Sequence, residues 1–206
     1  MIAPGALAAR VGRVLQCARA AARAWRGRTA ATALAVLLVG ASAGTAQNVP
    51  RTASEDSVKA AYLFKFPAYV DWPDGLFQSA ESALTIGVVE SDRLADALAV
   101  VAAGRRVDGR PVRVRRLSPD DPPTGVHVLF LPAESAVGTP IAEQADGLPI
   151  LTVGEQADES SGIVVSFVPV GGRVRFEVDL EEAGRRGLRL HSGMLAVAER
   201  VRGAPR

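Results

Sequence analysis

The sequence predicts an α/β domain, a three-layer sandwich with a mainly parallel central sheet that is extended by a C-terminal β-hairpin. Short and almost continuously apolar runs alternate with segments of helical spacing, a pattern typical of parallel strands covered on both faces. An aromatic-rich amphipathic stretch precedes this alternation. Towards the end of the chain, two strand-like runs flank Gly171 and Gly172, and this spacing predicts a two-residue β-hairpin.

Residues 1–46 have the features of a secretory signal peptide. Six arginines without an acidic residue precede the apolar run "ATALAVLLVGASA", and small residues allow cleavage after Ala43 or Ala46. The apolar run is shorter than the roughly 20 residues that span a bilayer, and retention as an anchor is the alternative. We therefore expect a signal peptide at 1–46, a disordered lead-in at 47–56 and one exported domain at 57–203.

The charge of the exported part argues against nucleic-acid binding. Six of the 24 basic residues and none of the 22 acidic ones lie in residues 1–46, so the remainder carries a net charge of −4. Cys17 is the only cysteine and leaves with the signal peptide. The two histidines are His127 and His191, too few for a histidine-rich metal site. We therefore expect no metal and no cofactor.

The first helix is predicted from "AAYLFKFPAYVDWP", residues 60–73, which holds five of the ten aromatic residues. Either Asp56 or Ser57 is a suitable N-cap. Pro67 should kink the helix or end it near Phe66. The apolar side chains that share one helical face are Val58, Tyr62, Leu63, Phe66, Tyr69 and Val70. Trp72 lies outside this face, so we expect it to be free to contact a ligand or a partner.

The middle of the chain alternates between strands and helices. Apolar runs at 84–90, 127–132 and 149–155 predict buried strands. The alternation of apolar and basic residues at 112–117 predicts an exposed or edge strand. Segments of helical spacing lie at 91–101 and 139–146.

In the last third, alternating runs at 163–170 and 173–180 form the predicted hairpin. "GLRLH" at 187–191 is expected to add a short strand. Ser192 should then cap a closing helix that continues to Val201.

No catalytic constellation is present in the sequence, so we expect that the protein is not an enzyme. It lacks a G-x-S-x-G nucleophile elbow, a P-loop and a G-x-G-x-x-G fingerprint. Its paired acidic residues are adjacent in sequence, and adjacent side chains do not face one another in a helix or a strand. Solvated surface charge explains them.

The strongest candidate for a ligand site consists of Arg189, His191 and Ser192. In an extended segment Arg189 and His191 point the same way, and the N-terminus of the closing helix follows them, so all three could converge on one anion. The alternative is that Arg189 is surface charge and that His191 bonds to the backbone at the start of the helix.

One local basic run lies between residues 105 and 116. It is either a solvated face or a patch for an acidic protein or lipid headgroups. Its members are Arg105, Arg106, Arg110, Arg113, Arg115 and Arg116.

Several motifs together make this chain resemble the YfiR family of periplasmic regulatory proteins. In order they are "VKAAYLFKFPAYVDWP", "LTIGVVESD", "GRPVRVRRL", "VHVLFL", "PILTVGE" and "GGRVRFEVDLEEAGRRGLRLHSGML". The similarity covers roughly residues 57–200. Each motif alone is modest, and the ordered set is specific.

The resemblance implies a non-enzymatic repressor that binds the periplasmic sensor domain of an inner-membrane signalling protein. In the namesake system the target is a membrane diguanylate cyclase, so the repressor limits cyclic-di-GMP and biofilm formation. Other relatives act on different membrane receptors, including sensor kinases. A periplasmic module that binds a small anionic ligand is the alternative function. A homodimer is left open.

Two family motifs imply functional residues here. The R-x-H/S motif falls on Arg189 and His191, and the strand motif FE(V/I)-x-L falls on Phe176 to Leu180. The residues expected to face the partner are Glu177, Asp179, Glu181, Glu182, Arg185 and Arg186. The namesake type uses cysteine pairs, and because no cysteine follows residue 17, redox control is not expected in this chain.

Overall fold

The structure, a computed structural model, describes residues 54–155 and 162–203. All of them belong to the unit Pro50–Arg206. The predicted signal peptide at 1–46 and most of the predicted lead-in lie outside the described residues.

The helices are α1 (Glu55–Lys65), α2 (Asp92–Ala102), α3 (Pro140–Ala145), α4 (Leu180–Arg185) and α5 (Ser192–Leu195), with 3₁₀ turns at Phe66–Tyr69 and Ala133–Ser135. The strands are β1 (Val70–Asp71), β2 (Leu84–Val89), β3 (Arg106–Val107), β4 (Arg110–Leu117), β5 (Val128–Leu131), β6 (Leu151–Glu155), β7 (Val165–Val170), β8 (Arg173–Asp179), β9 (Arg189–Leu190) and β10 (Arg200–Arg202).

The first helix begins one turn earlier than its apolar pattern suggested. Ser54 is the N-cap, and its hydroxyl oxygen accepts a hydrogen bond from the Ser57 amide at 3.2 Å. The expected caps, Asp56 and Ser57, therefore lie inside the helix. Pro67 acts as predicted, because the α-helix ends at Lys65 and the chain continues as a 3₁₀ turn.

The main sheet has eight strands in the described residues, in the order β10-β8-β7-β6-β5-β2-β4-β3. Five adjacent strands are parallel to one another, namely β7, β6, β5, β2 and β4. The hairpin β7–β8 then reverses the chain through Gly171 and Gly172, whose φ angles are 57° and 72°. The predicted fold class, a mainly parallel sheet extended by a C-terminal hairpin, is confirmed.

The two faces of the sheet carry different cores. On one face, α1 and α2 cover β2, β5, β7 and β8, and Phe66 stacks on Phe167 with ring centroids 6.0 Å apart. On the other face, the short helix α3 places Ile141 against Leu117 and Leu129. Gly87 keeps this second face tight, because a Cβ there would lie 2.6 Å from Leu117 Cδ1.

The end of the chain differs from the prediction. The closing helix ends at Leu195, and Val201 lies in β10, paired with Val178 of β8. The Glu199 amide donates to the Phe176 carbonyl at 2.8 Å and starts this pairing. The helical spacing of the apolar residues predicted a helix up to Val201. It could not show that the edge of β8 is available to pair with this segment. None of the helices formed by residues 54–155 and 162–203 is long and apolar enough to cross a membrane.

Candidate functional site

The predicted short strand near residue 190 exists, and it pairs with the end of the aromatic stretch rather than with the main sheet. Strands β1 and β9 are antiparallel, with Val70 opposite Leu190 and Asp71 opposite Arg189. The His191 amide extends the pairing by donating to the Tyr69 carbonyl at 2.9 Å. We call Tyr69–Asp71 together with Arg189–His191 the β1–β9 ribbon.

Asp71 is the centre of the ribbon. Its Oδ1 lies 2.8 Å from Nε2 of His191, and its Oδ2 lies 3.9 Å from Nε of Arg189. The hydrogen bond from His191 and the positive charges beside it hold the pKa of the Asp71 carboxyl below its usual value. The carboxylate therefore stays ionised and orients the side chains of Arg189 and His191.

The structure brings Arg189 and His191 together, as the sequence indicated, with a carboxylate of the same chain between them. The Arg189 side chain is 85% exposed, and those of His191 and Asp71 are about half exposed. An anion from solution would have to compete with Asp71 for these two groups. The N-cap of α5 is His191 and not Ser192, which was predicted to cap the helix. Ser192 is the first residue inside that helix, and its side chain is exposed.

An aromatic ring lies beside the charged groups. Tyr69 is 39% exposed, and a Cβ added at Gly193 would be in van der Waals contact with its ring, 3.5 Å from Cε1. The absence of a side chain at Gly193 therefore leaves space at the ring. With the Tyr69 ring, the ribbon forms an open surface of mixed charge and apolar character, which suits contact with another protein better than enclosure of a small molecule.

Trp72 is less free than the sequence suggested. It is half-buried and packs edge-on against Phe77 and His127, with ring centroids 6.2 Å from each. Phe77 in turn stacks on the His127 ring at 4.6 Å. Any contact of Trp72 with a ligand or a partner depends on the part of the ring that remains exposed.

His127 has a structural position at the start of β5. Its Nδ1 accepts a hydrogen bond from the Thr85 amide at 3.1 Å, which places the proton of the neutral ring on Nε2. Burial, and secondarily the charge of Arg110, lowers the pKa of His127. The ring therefore favours the neutral form that the Thr85 bond requires.

The residues predicted to face a partner divide into exposed and internal ones. Glu181 and Arg185 are exposed on α4. Asp179 is the N-cap of α4, because its Oδ1 accepts from the Glu182 amide at 2.9 Å. Glu177 is largely covered and lies 3.7 Å from Nε of Arg200.

Glu182 and Arg186 are buried, although both were expected on the surface. The Arg186 Nε donates to Glu182 Oε1 at 2.6 Å, and both side chains are at most 3% exposed. The other guanidinium nitrogens donate to the carbonyls of Ala145 and Gly162. This network attaches the end of α4 to the last residue of α3, Ala145, and to the segment at Gly162. It leaves Glu181 and Arg185 of this helix exposed for a partner.

Sequence reasoning missed Asp71 and Tyr69. Asp71 lies 120 residues from His191, and no local pattern predicts a pairing over that distance. A signal was present, because Asp71 is the only acidic residue of "AAYLFKFPAYVDWP". In the part of the chain that the structure describes, no group of three or more His, Cys, Asp or Glu residues is arranged to hold a metal ion.

One comparison with known proteins identifies relatives of this chain. A family model described as YfiR/HmsC-like matches residues 56–199, which include both strands of the ribbon and almost all of the described domain.

Proposed function

Since the chain belongs to the YfiR/HmsC-like family, we propose that it is an exported regulator that binds the periplasmic domain of an inner-membrane signalling protein and holds that protein inactive. A diguanylate cyclase is the first target class, and a sensor kinase is the second. The family is a regulatory, non-catalytic one, and the match covers every strand of the main sheet except β10.

The observation that carries the proposal is the exposed β1–β9 ribbon. Arg189, His191 and Asp71 present charge of both signs, and the Tyr69 ring lies beside them. Aromatic residues and arginines are the types enriched at protein interfaces. The ribbon is therefore the surface on which we place the signalling protein.

The mechanism is sequestration. A signalling protein that is active when free and inactive when bound is controlled by the fraction of it that the regulator occupies. A signal that binds the regulator, or a second protein that competes for the ribbon, lowers that fraction and releases the target. No covalent chemistry is needed, which agrees with the lack of a catalytic motif in the sequence.

A pull-down from detergent-solubilised membranes tests the proposal. The tagged protein, purified after export, should recover a membrane signalling protein. Arg189→Glu should reduce the recovery at least about tenfold, because the reversed charge replaces an attraction across the interface by a like-charge repulsion. Arg173→Glu is the matched control, since Arg173 is an exposed arginine on a different element, and it should recover as much as the wild type. Equal recovery by both variants would rule out the ribbon.

The second candidate function, binding of a small anion, is favoured by one observation. The Arg189 guanidinium is exposed and only loosely paired, with its Nε 3.9 Å from Asp71. Calorimetry with inorganic phosphate and with sulfate separates the two functions. Tight binding by the isolated protein that is lost in Arg189→Glu, without recovery of any membrane protein, would favour the ligand-binding module.

A further inference from the structure

Strand β4 leaves most of one edge unpaired. Its inner edge pairs with β2 over Val112–Leu117, whereas β3 covers the outer edge only at Arg110 and Pro111. The Leu117 carbonyl accepts from the Glu90 amide, which follows β2, so residue 117 points its backbone groups inward.

Successive residues of a strand point their backbone N–H and C=O groups to alternate edges, so residue 117 determines which residues of β4 face outward. The N–H and C=O groups of Val112, Val114 and Arg116 point away from β2, as those of Arg110 do towards β3. Within residues 54–155 and 162–203, no backbone hydrogen bond uses the outward groups of these three residues. About five residues of open strand edge are therefore available to another extended segment.

The side chains on this strand show which kind of segment fits. Val112 and Val114 pack against the core below α2, so the strand is firmly held. Arg113 and Arg115 alternate with them and are exposed on the opposite face. The strand contains no acidic residue.

Most of the positive charge on and beside the strand is not neutralised. Arg116 pairs with Asp92 and Asp96 of α2. Arg110 and Arg115 donate to neutral carbonyls, of Ser79 and Thr124 respectively.

The neighbouring arginines keep their charge as well. Arg105 lies over the Phe64 ring, and Arg106 donates to the carbonyl of Gly109. In the described residues, Arg105, Arg106, Arg110, Arg113 and Arg115 make no ion pair with a carboxylate.

We propose that the outer edge of β4 binds an extended acidic segment of another protein, which adds a strand to the sheet. Backbone hydrogen bonds to Val112, Val114 and Arg116 would supply affinity, and acidic side chains beside Arg113 and Arg115 would supply specificity. This site is separate from the ribbon and does not depend on the function proposed above.

Two other occupants fit the edge less well. A second copy of this chain paired through the same strand would set arginine beside arginine, and like charges opposite one another destabilise a strand pair. An anionic lipid surface would satisfy the arginines and leave the backbone groups unused. The open edge together with the unneutralised arginines therefore favours an acidic peptide.

The test uses the full exported protein and a labelled octapeptide of alternating glutamate and valine, followed by fluorescence anisotropy. The octapeptide of alternating lysine and valine is the control probe. We expect saturable binding of the glutamate peptide that weakens with added salt, and no binding of the lysine peptide. Hydrogen exchange at the amides of Val112, Val114 and Arg116 should slow in the complex, with Arg113 and Arg115 unchanged.

Three variants locate the binding. Arg113→Glu should weaken binding of the glutamate peptide roughly fivefold to tenfold, because an attraction between the side chains becomes a repulsion. Val114→Pro should abolish binding, since it removes an outward N–H that the pairing with β2 does not use. A thermal unfolding midpoint checks that this variant remains folded, and Arg173→Glu, far along the chain on β8, should bind as the wild type.

Each other outcome overturns the proposal. Equal binding of both peptides, or unchanged exchange at the three amides, shows that the edge is not a strand acceptor. Sedimentation that reveals a dimer lost in Val114→Pro assigns the edge to a second copy. Binding to vesicles containing phosphatidylglycerol, lost in Arg113→Glu without slower exchange, assigns the arginines to a lipid surface. None of these results bears on the ribbon, which the pull-down tests separately.

Discussion

Asp71 is the single residue whose side chain links the N-terminal strand β1 to the C-terminal strand β9. Its carboxylate accepts from His191 and lies near Arg189, so the charge of the ribbon depends on one acidic side chain. Without Asp71, the ribbon would present the Arg189 guanidinium and the His191 ring with no carboxylate between them. With Asp71, it presents an oriented pair of opposite charges, which is the kind of pattern that gives specificity to protein contacts.

On the face of the sheet that α1 and α2 cover, Phe66 is the residue whose truncation should lower the free energy of unfolding most. It is 2% exposed and lies against Tyr62, Phe167 and Phe176. We expect Phe66→Ala to lower the free energy of unfolding by about 3 kcal/mol, measured with urea, because the cavity it leaves cannot collapse among aromatic rings. Val100→Ala, on the exposed side of α2, should change it by less than about 0.5 kcal/mol. A small effect at Phe66 would contradict the packing described here.

His127 should make the stability depend on pH. Burial lowers its pKa in the folded protein below the ordinary value of 6.5. The unfolded chain therefore takes up this proton at a higher pH than the folded one, so the free energy of unfolding falls as the pH drops below about 6.5. His127→Gln should reduce this loss between about pH 7 and pH 5.5.

The other histidine of the chain supplies the control for that experiment. His191→Gln should retain the loss of stability on acidification, because His127 is still present. An unchanged pH dependence in His127→Gln would show that the buried ring does not cause it.

At the residue scale, the sequence predicted what depends on neighbours along the chain. The end of α1 before Pro67 and the turn at Gly171 and Gly172 were predicted correctly because one residue type sets the backbone there. The burial of Glu182 and Arg186 was not predicted, because charged residues are mostly exposed and only the tertiary structure supplies the carbonyls that satisfy this pair.

Among the elements, α4 is held by a buried polar pair in addition to the apolar contacts of Leu180 and Ala183 with the core. The pair of Glu182 and Arg186 joins it to the C-terminal end of α3 at Ala145 and to the segment at Gly162. Its exposed face, with Glu181 and Arg185, is therefore presented in a fixed position. The helix also contacts β9, which brings that face into continuity with the ribbon.

The buried pair allows a test of this role. Arg186→Met should lower the free energy of unfolding by about 3 kcal/mol, because it removes the buried donor of Glu182 Oε1 and of the Ala145 and Gly162 carbonyls. The exposed Arg185, which pairs with Glu182 Oε2, remains in this variant. The double variant Glu182→Leu/Arg186→Met removes both charges and should be more stable than the single one. If urea unfolding gives Arg186→Met the stability of the wild type, the pair does not anchor α4.

Whole elements were predicted well where the pattern was local and poorly where partners lay far apart. Strands β2, β5, β6, β7 and β8 follow from apolar runs that need no knowledge of their neighbours. Strand β9 was expected, but its partner β1 was not, and the segment at 200–202 was assigned to a helix. In both cases the backbone partner lies outside any sequence window.

For the whole molecule, the fold explains why the ribbon cannot form in a fragment. Its two strands come from opposite ends of the domain, 120 residues apart, and the eight-stranded sheet holds those ends together. The same sheet presents the open edge of β4 through a different set of residues. One domain thus offers two separate surfaces, one of mixed charge and one basic.

The most direct test of the central claim is the cellular amount of cyclic-di-GMP, measured by mass spectrometry in a strain that lacks this gene. Deletion should raise the amount, and the wild-type gene and Arg173→Glu should return it to the original level. Arg189→Glu, exported in equal quantity, should fail to do so. An unchanged amount of cyclic-di-GMP after deletion, or full restoration by Arg189→Glu, would contradict the account.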